Sequence, residues 1–146
     1  MAVMTEFDRL VTDLLTPHDL RYTAGRRALV KALRDADRPL TLPELLEMAG
    51  DVPQSSAYRN LSVLEEAGVV RRLVHGADHA HYELAETLTE HHHHLICNSC
   101  GQVQDVVLDH DLERTLDGAF GRIASDAGFR ASSNMIAVYG LCADCR

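Results

Sequence analysis

The chain has no tryptophan, and its aromatic residues make up only 5% of 146 positions. An aromatic core is therefore excluded, and the interior must be aliphatic. No apolar run approaches the ~20 residues of a membrane-spanning helix, so a membrane partner is not expected. The first residues, Met1-Ala-Val-Met-Thr-Glu6, have no early apolar core and do not read as a secretory leader. A reducing cytoplasmic location follows as an expectation. No odd thiol is present either, because all four cysteines fall in two Cys-x-x-Cys pairs. What remains is 46% hydrophobic and 25% charged, a globular composition with room for one medium domain or two small ones.

The pairs are Cys97/Cys100 and Cys142/Cys145, and four histidines, His91 to His94, stand just before the first pair. A Cys-x-x-Cys turn aims two sulfurs at one point, and two such turns close a tetrahedral thiolate shell around zinc. A redox dithiol would suit a single pair after a strand, and disulfides would suit an oxidising compartment. Two pairs in short polar turns fit a structural Zn2+ better. The long gap between the pairs leaves room for a helix. Histidine is the side chain whose charge and metal affinity change near neutral pH, so a second, conditional metal is expected beside the permanent one.

The net charge of −8 argues mildly against nucleic acid, but it is unevenly spread. Arg21, Arg26, Arg27, Lys31 and Arg34 form a stretch without an acid, whereas residues 85–146 are acidic. A solvated helix face is the bland explanation. A basic DNA-binding half and an acidic metal-binding half is the functional one.

The first half has helical apolar spacing at Phe7, Leu10, Val11, Leu14 and Leu15, and again at Ala28, Leu29, Ala32 and Leu33. Thr41-Leu-Pro-Glu44 is a capping box, and Gly50 ends that helix. Ser55 or Ser56 is expected to cap the next helix, which carries Ala57, Leu61, Leu64 and Ala67. Residues 69–74 and 79–84 read as two strands around a turn starting at His75. Helices followed by a β-hairpin is the winged helix-turn-helix plan. The first turn of the fourth helix carries Ser55, Ser56, Tyr58, Arg59 and Asn60, groups that meet base edges and phosphates at a recognition-helix N-terminus.

Residues 85–90 form a short polar hinge. In the second half, period two places His92 and His94 on one strand face and His91 and His93 on the other, so one strand can serve two metal sites. On the wing's second strand, His79, His81 and Glu83 share a face. Asp105 lies on the strand after the first cysteine turn. Glu113 opens an amphipathic helix that carries Leu112, Leu116, Ala119, Phe120 and Ile123. A last strand, 135–139, delivers Cys142. So small a sheet has open edges and too little core to stand alone, and pairing with a second copy would cure both faults.

Taken together, Leu20-Arg-Tyr-Thr23, Ala57-Tyr-Arg-Asn-Leu61, Glu66-Ala-Gly-Val-Val70, Tyr82-Glu-Leu84, His91 to Gly101 and Tyr139 to Cys145 make the chain resemble the ferric uptake regulator (Fur) superfamily. The resemblance covers nearly the whole chain, and the four histidines lean towards its zinc uptake regulator (Zur) branch. It implies an α+β homodimer. Residues 1–84 would form a winged-helix DNA-binding domain, 85–90 a hinge, and 91–146 a dimerisation and metal-binding domain. It implies a metal-responsive repressor of metal-homeostasis genes that binds an AT-rich palindrome in double-stranded DNA, with no small-molecule substrate. Cys97, Cys100, Cys142 and Cys145 would hold structural Zn2+. Glu83, His92 and His94 match regulatory hinge ligands, with His81 and Asp105 as further candidates. His91, His93 and Glu113 match a second site. Arg21 matches a minor-groove residue, and Tyr58 and Arg59 match major-groove contacts.

Two positions depart from the family pattern. Pro39 stands where iron-sensing members supply a histidine, which makes His79 or His81 a suspect for the missing donor. Asn134 stands where the second site usually has a histidine. Zinc is the first choice for the sensed metal; Fe2+, manganese or peroxide sensing is the alternative within the superfamily. A zinc-dependent hydrolase, or a zinc-stabilised module without DNA, is the reading from another class.

Overall fold

The computed structural model describes residues 3–75 and 79–146, the side chains of His75 and His79 excepted. The turn expected after His75 falls on residues 76–78, which lie outside the described residues, as does the side chain of the candidate ligand His79. The chain divides into two compact units, Met1–Glu90 and His91–Arg146.

The first unit runs α1 (Glu6–Leu15), α2 (Ala24–Ala36), β1 (Leu40–Thr41), α3 (Leu42–Ala49), α4 (Gln54–Glu66), β2 (Val70–His75) and β3 (His79–Leu84). Its helices start where short hydroxyls take up orphan backbone donors. Thr5 with Asp8 and Thr41 with Glu44 form reciprocal capping boxes, and Thr23 accepts from the Arg26 N–H. The fourth helix departs from expectation. It begins at Gln54 after Pro53, with no side-chain cap, so Ser55 and Ser56 lie inside its first turn. Pro53 fixes a φ of −59°, which starts a helix without a hydroxyl cap.

The sheet order is β1-β3-β2, antiparallel throughout. The two-residue β1, not expected from the sequence, pairs Leu40 with Tyr82 and Thr41 with His81. The core is aliphatic: Val11, Leu15, Leu29, Val30, Leu40, Leu45, Leu61, Leu64 and Val69 are essentially inaccessible, and Tyr82 is the aromatic that joins them. Leu10 is 46% exposed, so α1 buries a narrower stripe than its spacing suggests. The segment after β3 stays with this unit. Ala85 N–H donates to Val69 C=O, a 3-10 turn covers Glu86–Leu88, and Leu88 packs against the core.

The second unit contains β4 (His93–Cys97), β5 (Val103–Val106), α5 (His110–Asp126) and β6 (Ala137–Gly140). The sheet order is β5-β4-β6, with β4 antiparallel to β5 and parallel to β6. Both outer strands are shorter than the apolar runs that announce them. Asp109 caps α5 by accepting from Leu112 N–H. No residue of α5 is buried: Leu112 and Ile123 are exposed, as are Phe129, Met135, Val138 and Leu141 beyond it. No helix among the described residues is long and apolar enough to cross a membrane.

Candidate metal centres and nucleic-acid interface

The four cysteines meet because of strand register. Cys97 ends β4 opposite Gly140 of β6, two residues before Cys142. The first turn is closed by Gly101 N–H to Cys97 C=O, and Gly101 takes the left-handed φ of 76° that the turn requires. The second is closed by Cys145 N–H to Cys142 C=O. All four sulfurs lie within 4.8 Å of one another. In a tetrahedral shell with Zn–S of about 2.3 Å, sulfurs sit about 3.8 Å apart. The Cys100 and Cys142 sulfurs are 3.8 Å apart, far beyond the ~2 Å of a disulfide.

Electrostatics agree with a metal site. Backbone N–H groups of Cys100 and then Cys142 point at the Cys97 sulfur, at 3.5 and 3.4 Å, and pull its thiol down to about 6. Cys145 accepts a hydrogen bond from Ser99 that lowers it, yet the thiols of Cys142 and Cys97 push it up to about 12. The Cys97 thiolate forms readily, whereas the thiols of Cys100 and Cys145 resist ionisation. A dication is what permits all four to ionise.

The histidine run alternates as period two requires. His92 and His94 turn to Asp105, which the β4–β5 register pairs with His94. Their Nε2 atoms lie 3.8 and 3.5 Å from Asp105 Oδ1. Donor atoms about 2.1 Å from an ion are about 3.4 Å apart in a tetrahedral shell and about 3.0 Å apart in an octahedral one. The observed spacings suit a shared ion better than a direct hydrogen bond. His94 is fully buried and His92 nearly so, so any charge gathered here must be matched locally.

His91 and His93 turn the other way, towards Glu113 on α5. His91 Nε2 is 3.5 Å from Glu113 Oε2, and His93 Nε2 is 2.6 Å from Glu113 Oε1. Asn134 is close to this group through α5: its Nδ2 donates to Asp117 Oδ1, one helical turn after Glu113.

In the first unit, Glu83 is buried on β3, with Arg71 opposite it on β2. Arg71 Nε and Nη2 both donate to Glu83 Oε1, at 2.9 and 2.5 Å. His81 is buried two residues earlier on the same face. Arg71 was not among the residues singled out from the sequence. The hairpin register that pairs it with Glu83 is the signal that would have found it.

On α4, Ser55, Tyr58 and Arg59 are exposed and Ser56 is half-buried. Arg21 is also exposed. Asn60, also expected at the DNA face, has a partner within the protein. Its Oδ1 accepts from Arg26 Nε at 3.1 Å, and Arg26 Nη1 donates to the Arg21 carbonyl at 2.7 Å. Arg26 thus ties the segment carrying Arg21 to the candidate reading helix. Gly25 faces Asn60, whose Nδ2 would stand 3.5 Å from a Cβ added there.

Comparison with known proteins places this arrangement. A family model, Ferric uptake regulator family, matches residues 18–139. The ferric uptake regulation protein of Campylobacter jejuni is 32% identical over 139 residues, covering 90% of this chain and 83% of that protein. The ferric uptake regulator of Pseudomonas aeruginosa, solved with manganese, aligns with a TM-score of 0.66 at 26% identity, over 90% of this chain and 96% of its own. The Helicobacter pylori ferric uptake regulator Fur, described as having three functional metal binding sites, aligns with a TM-score of 0.72 over 99% of this chain and 97% of its own. At 21% identity it speaks for the fold alone. These relatives are regulators rather than enzymes, which removes the hydrolase reading. With a helical N-terminal unit, a sheet-based C-terminal unit carrying a four-cysteine cluster, and a match over most of its length, the chain belongs to the ferric uptake regulator family of metal-binding transcription regulators.

Proposed function

We propose that the protein is a zinc-sensing repressor of metal-homeostasis genes that works as a homodimer on an AT-rich palindrome. The observation that carries this reading is the donor set on one face of β4: two imidazoles and Asp105 at spacings close to a tetrahedral edge. By the family resemblance Glu83, which Arg71 orients within the hairpin, is proposed as a further donor. Pro39 stands in place of a further histidine, and a set of four donors is the number that suits zinc. Zinc at the cysteine cluster is structural, and the histidine site is regulatory.

The uncovered apolar side chains around α5, Leu112, Ile123, Phe129, Val138 and Leu141, support pairing of the second unit with a copy of itself. The first turn of α4 supports major-groove reading by Tyr58 and Arg59, with Arg21 directed to a minor groove. Metal at the hinge selects the arrangement in which both winged helices meet DNA, and operator DNA tightens metal binding by the same factor.

A second reading has its own observation. Two carboxylates in the set admit Fe2+ or manganese completed by water. The test selects binding duplexes from a random pool in zinc, then repeats binding with zinc, Fe2+, Mn2+ and a chelator. Zinc-dependent binding of a dimer is expected. Activation by Fe2+ or Mn2+ and not zinc moves the protein to the second reading, and binding unaffected by chelation ends both.

A further inference from the structure

We infer that the cluster of His91, His93 and Glu113 is a metal-free hydrogen-bonded lock joining β4, β6 and α5, so that the histidine run serves one metal rather than two. Three donor atoms converge there, but the hydrogen bonds at His93 do not fit a metal. The backbone N–H of Ile136 donates to His93 Nδ1 at 2.9 Å. That nitrogen therefore holds a lone pair. A neutral imidazole carries one ring proton, which must then sit on Nε2. Nε2 faces Glu113 Oε1 at 2.6 Å, the length of a short, charge-assisted hydrogen bond.

A metal at Nε2 would need the lone pair of that nitrogen. The ring proton would then move to Nδ1, head-on to the Ile136 N–H. Turning the ring over offers no escape. It would place Cδ2 against the Ile136 N–H and Cε1 against Glu113, and both hydrogen bonds would be lost. Ile136 is not free to yield, because its carbonyl accepts from His94 N–H at 2.9 Å in the β4–β6 ladder. His93 is 2% exposed, so water would not replace a lost partner cheaply.

The neighbouring polar residue adds no strong ligand. Asn134 commits its amide nitrogen to Asp117 at 2.7 Å. The one metal-binding atom it retains is an amide oxygen, Oδ1, which is buried and has no hydrogen bond. The two faces of the histidine run thus differ at His93, both of whose ring nitrogens are engaged. The Nε2 atoms of His92 and His94 sit 3.8 and 3.5 Å from Asp105, and that of His91 sits 3.5 Å from Glu113, all beyond a good hydrogen bond, whereas His93 makes a short one.

The inference rests on the proposed function only in leaving His92 and His94 as the regulatory pair. The test is zinc content per full-length chain after gel filtration, read beside thermal melting and the ¹⁵N spectrum of the histidine rings. Glu113→Gln keeps an oxygen that accepts from His93 Nε2–H but removes a carboxylate. Its zinc content is expected to equal wild type, with little change in melting. Asn134→Ala is expected to leave zinc content unchanged as well. His93→Ala is expected to melt lower without losing zinc. The His93 ring is expected to keep its Nε2–H tautomer with and without zinc. Loss of one zinc equivalent in Glu113→Gln or Asn134→Ala, or a zinc-driven switch of His93 to the Nδ1–H tautomer, overturns the lock. His92→Ala with His94→Ala is the separate control: retained zinc in that variant would count against the proposed function and leave the lock standing.

Discussion

The two units of this chain are held together by different physics. The first buries about a dozen aliphatic side chains behind capped helices and a three-stranded sheet. The second has a helix with no buried residue, and most of what it buries is Ile96, Cys97, Val103 and the histidines of β4. A unit of 56 residues, from His91 to Arg146, has little interior of its own. Its side chains that converge are mostly metal-ligand types, and its apolar outer face is left exposed. Unit one should respond to changes in volume, and unit two to changes in donor atoms.

The contrast is tested most severely at the cysteines. Cys97→Ser, or stripping the zinc proposed at the four cysteines, is expected to abolish amide-exchange protection in residues 91–146 while residues 1–90 keep theirs. A structural zinc of this type contributes on the order of 10 kcal/mol. Loss of protection in both units together would show that they are not independent. Next in size is Leu29→Ala, a truncation at a fully buried position, expected to destabilise the first unit by about 2–5 kcal/mol with zinc content unchanged. Urea unfolding followed beside metal release separates the two effects.

Smaller changes belong to the DNA face. Arg59→Ala is expected to weaken specific binding by about 1–3 kcal/mol without altering melting. Arg26→Ala should also weaken binding, although Arg26 is half-buried and bonds within the protein; competition binding on the same duplex ranks the pair. The smallest expected effect is Thr41→Ala, which breaks a capping box and removes about 1 kcal/mol, read from the urea midpoint.

Much of this was legible without coordinates. Thr41 announces a helix start because a short side chain three residues ahead of a free N–H has one easy partner; Thr5, Thr23 and Asp109, not singled out as caps, do the same. The start of α4 was less legible, because Pro53 begins it by fixing φ rather than by a hydroxyl. Leu10 misled because helical spacing gives a direction and not the width of the face that a neighbour covers. The bond from Arg26 to Asn60 was not legible, because a polar residue near a helix start looks the same in sequence whatever it meets.

By itself the sequence determined the local and periodic features. Two Cys-x-x-Cys turns, the division of four consecutive histidines between two strand faces, and an aliphatic first half are consequences of spacing alone. Tertiary structure decided what each donor atom meets. Arg71 reaches Glu83 only across the hairpin, and Arg26 reaches Asn60 from 34 positions away. The proton of His93 is placed by Ile136, 43 residues further along. Periodicity sets the side of a strand on which a ring lies. Which of its two nitrogens keeps a lone pair depends on the partners that folding brings to it.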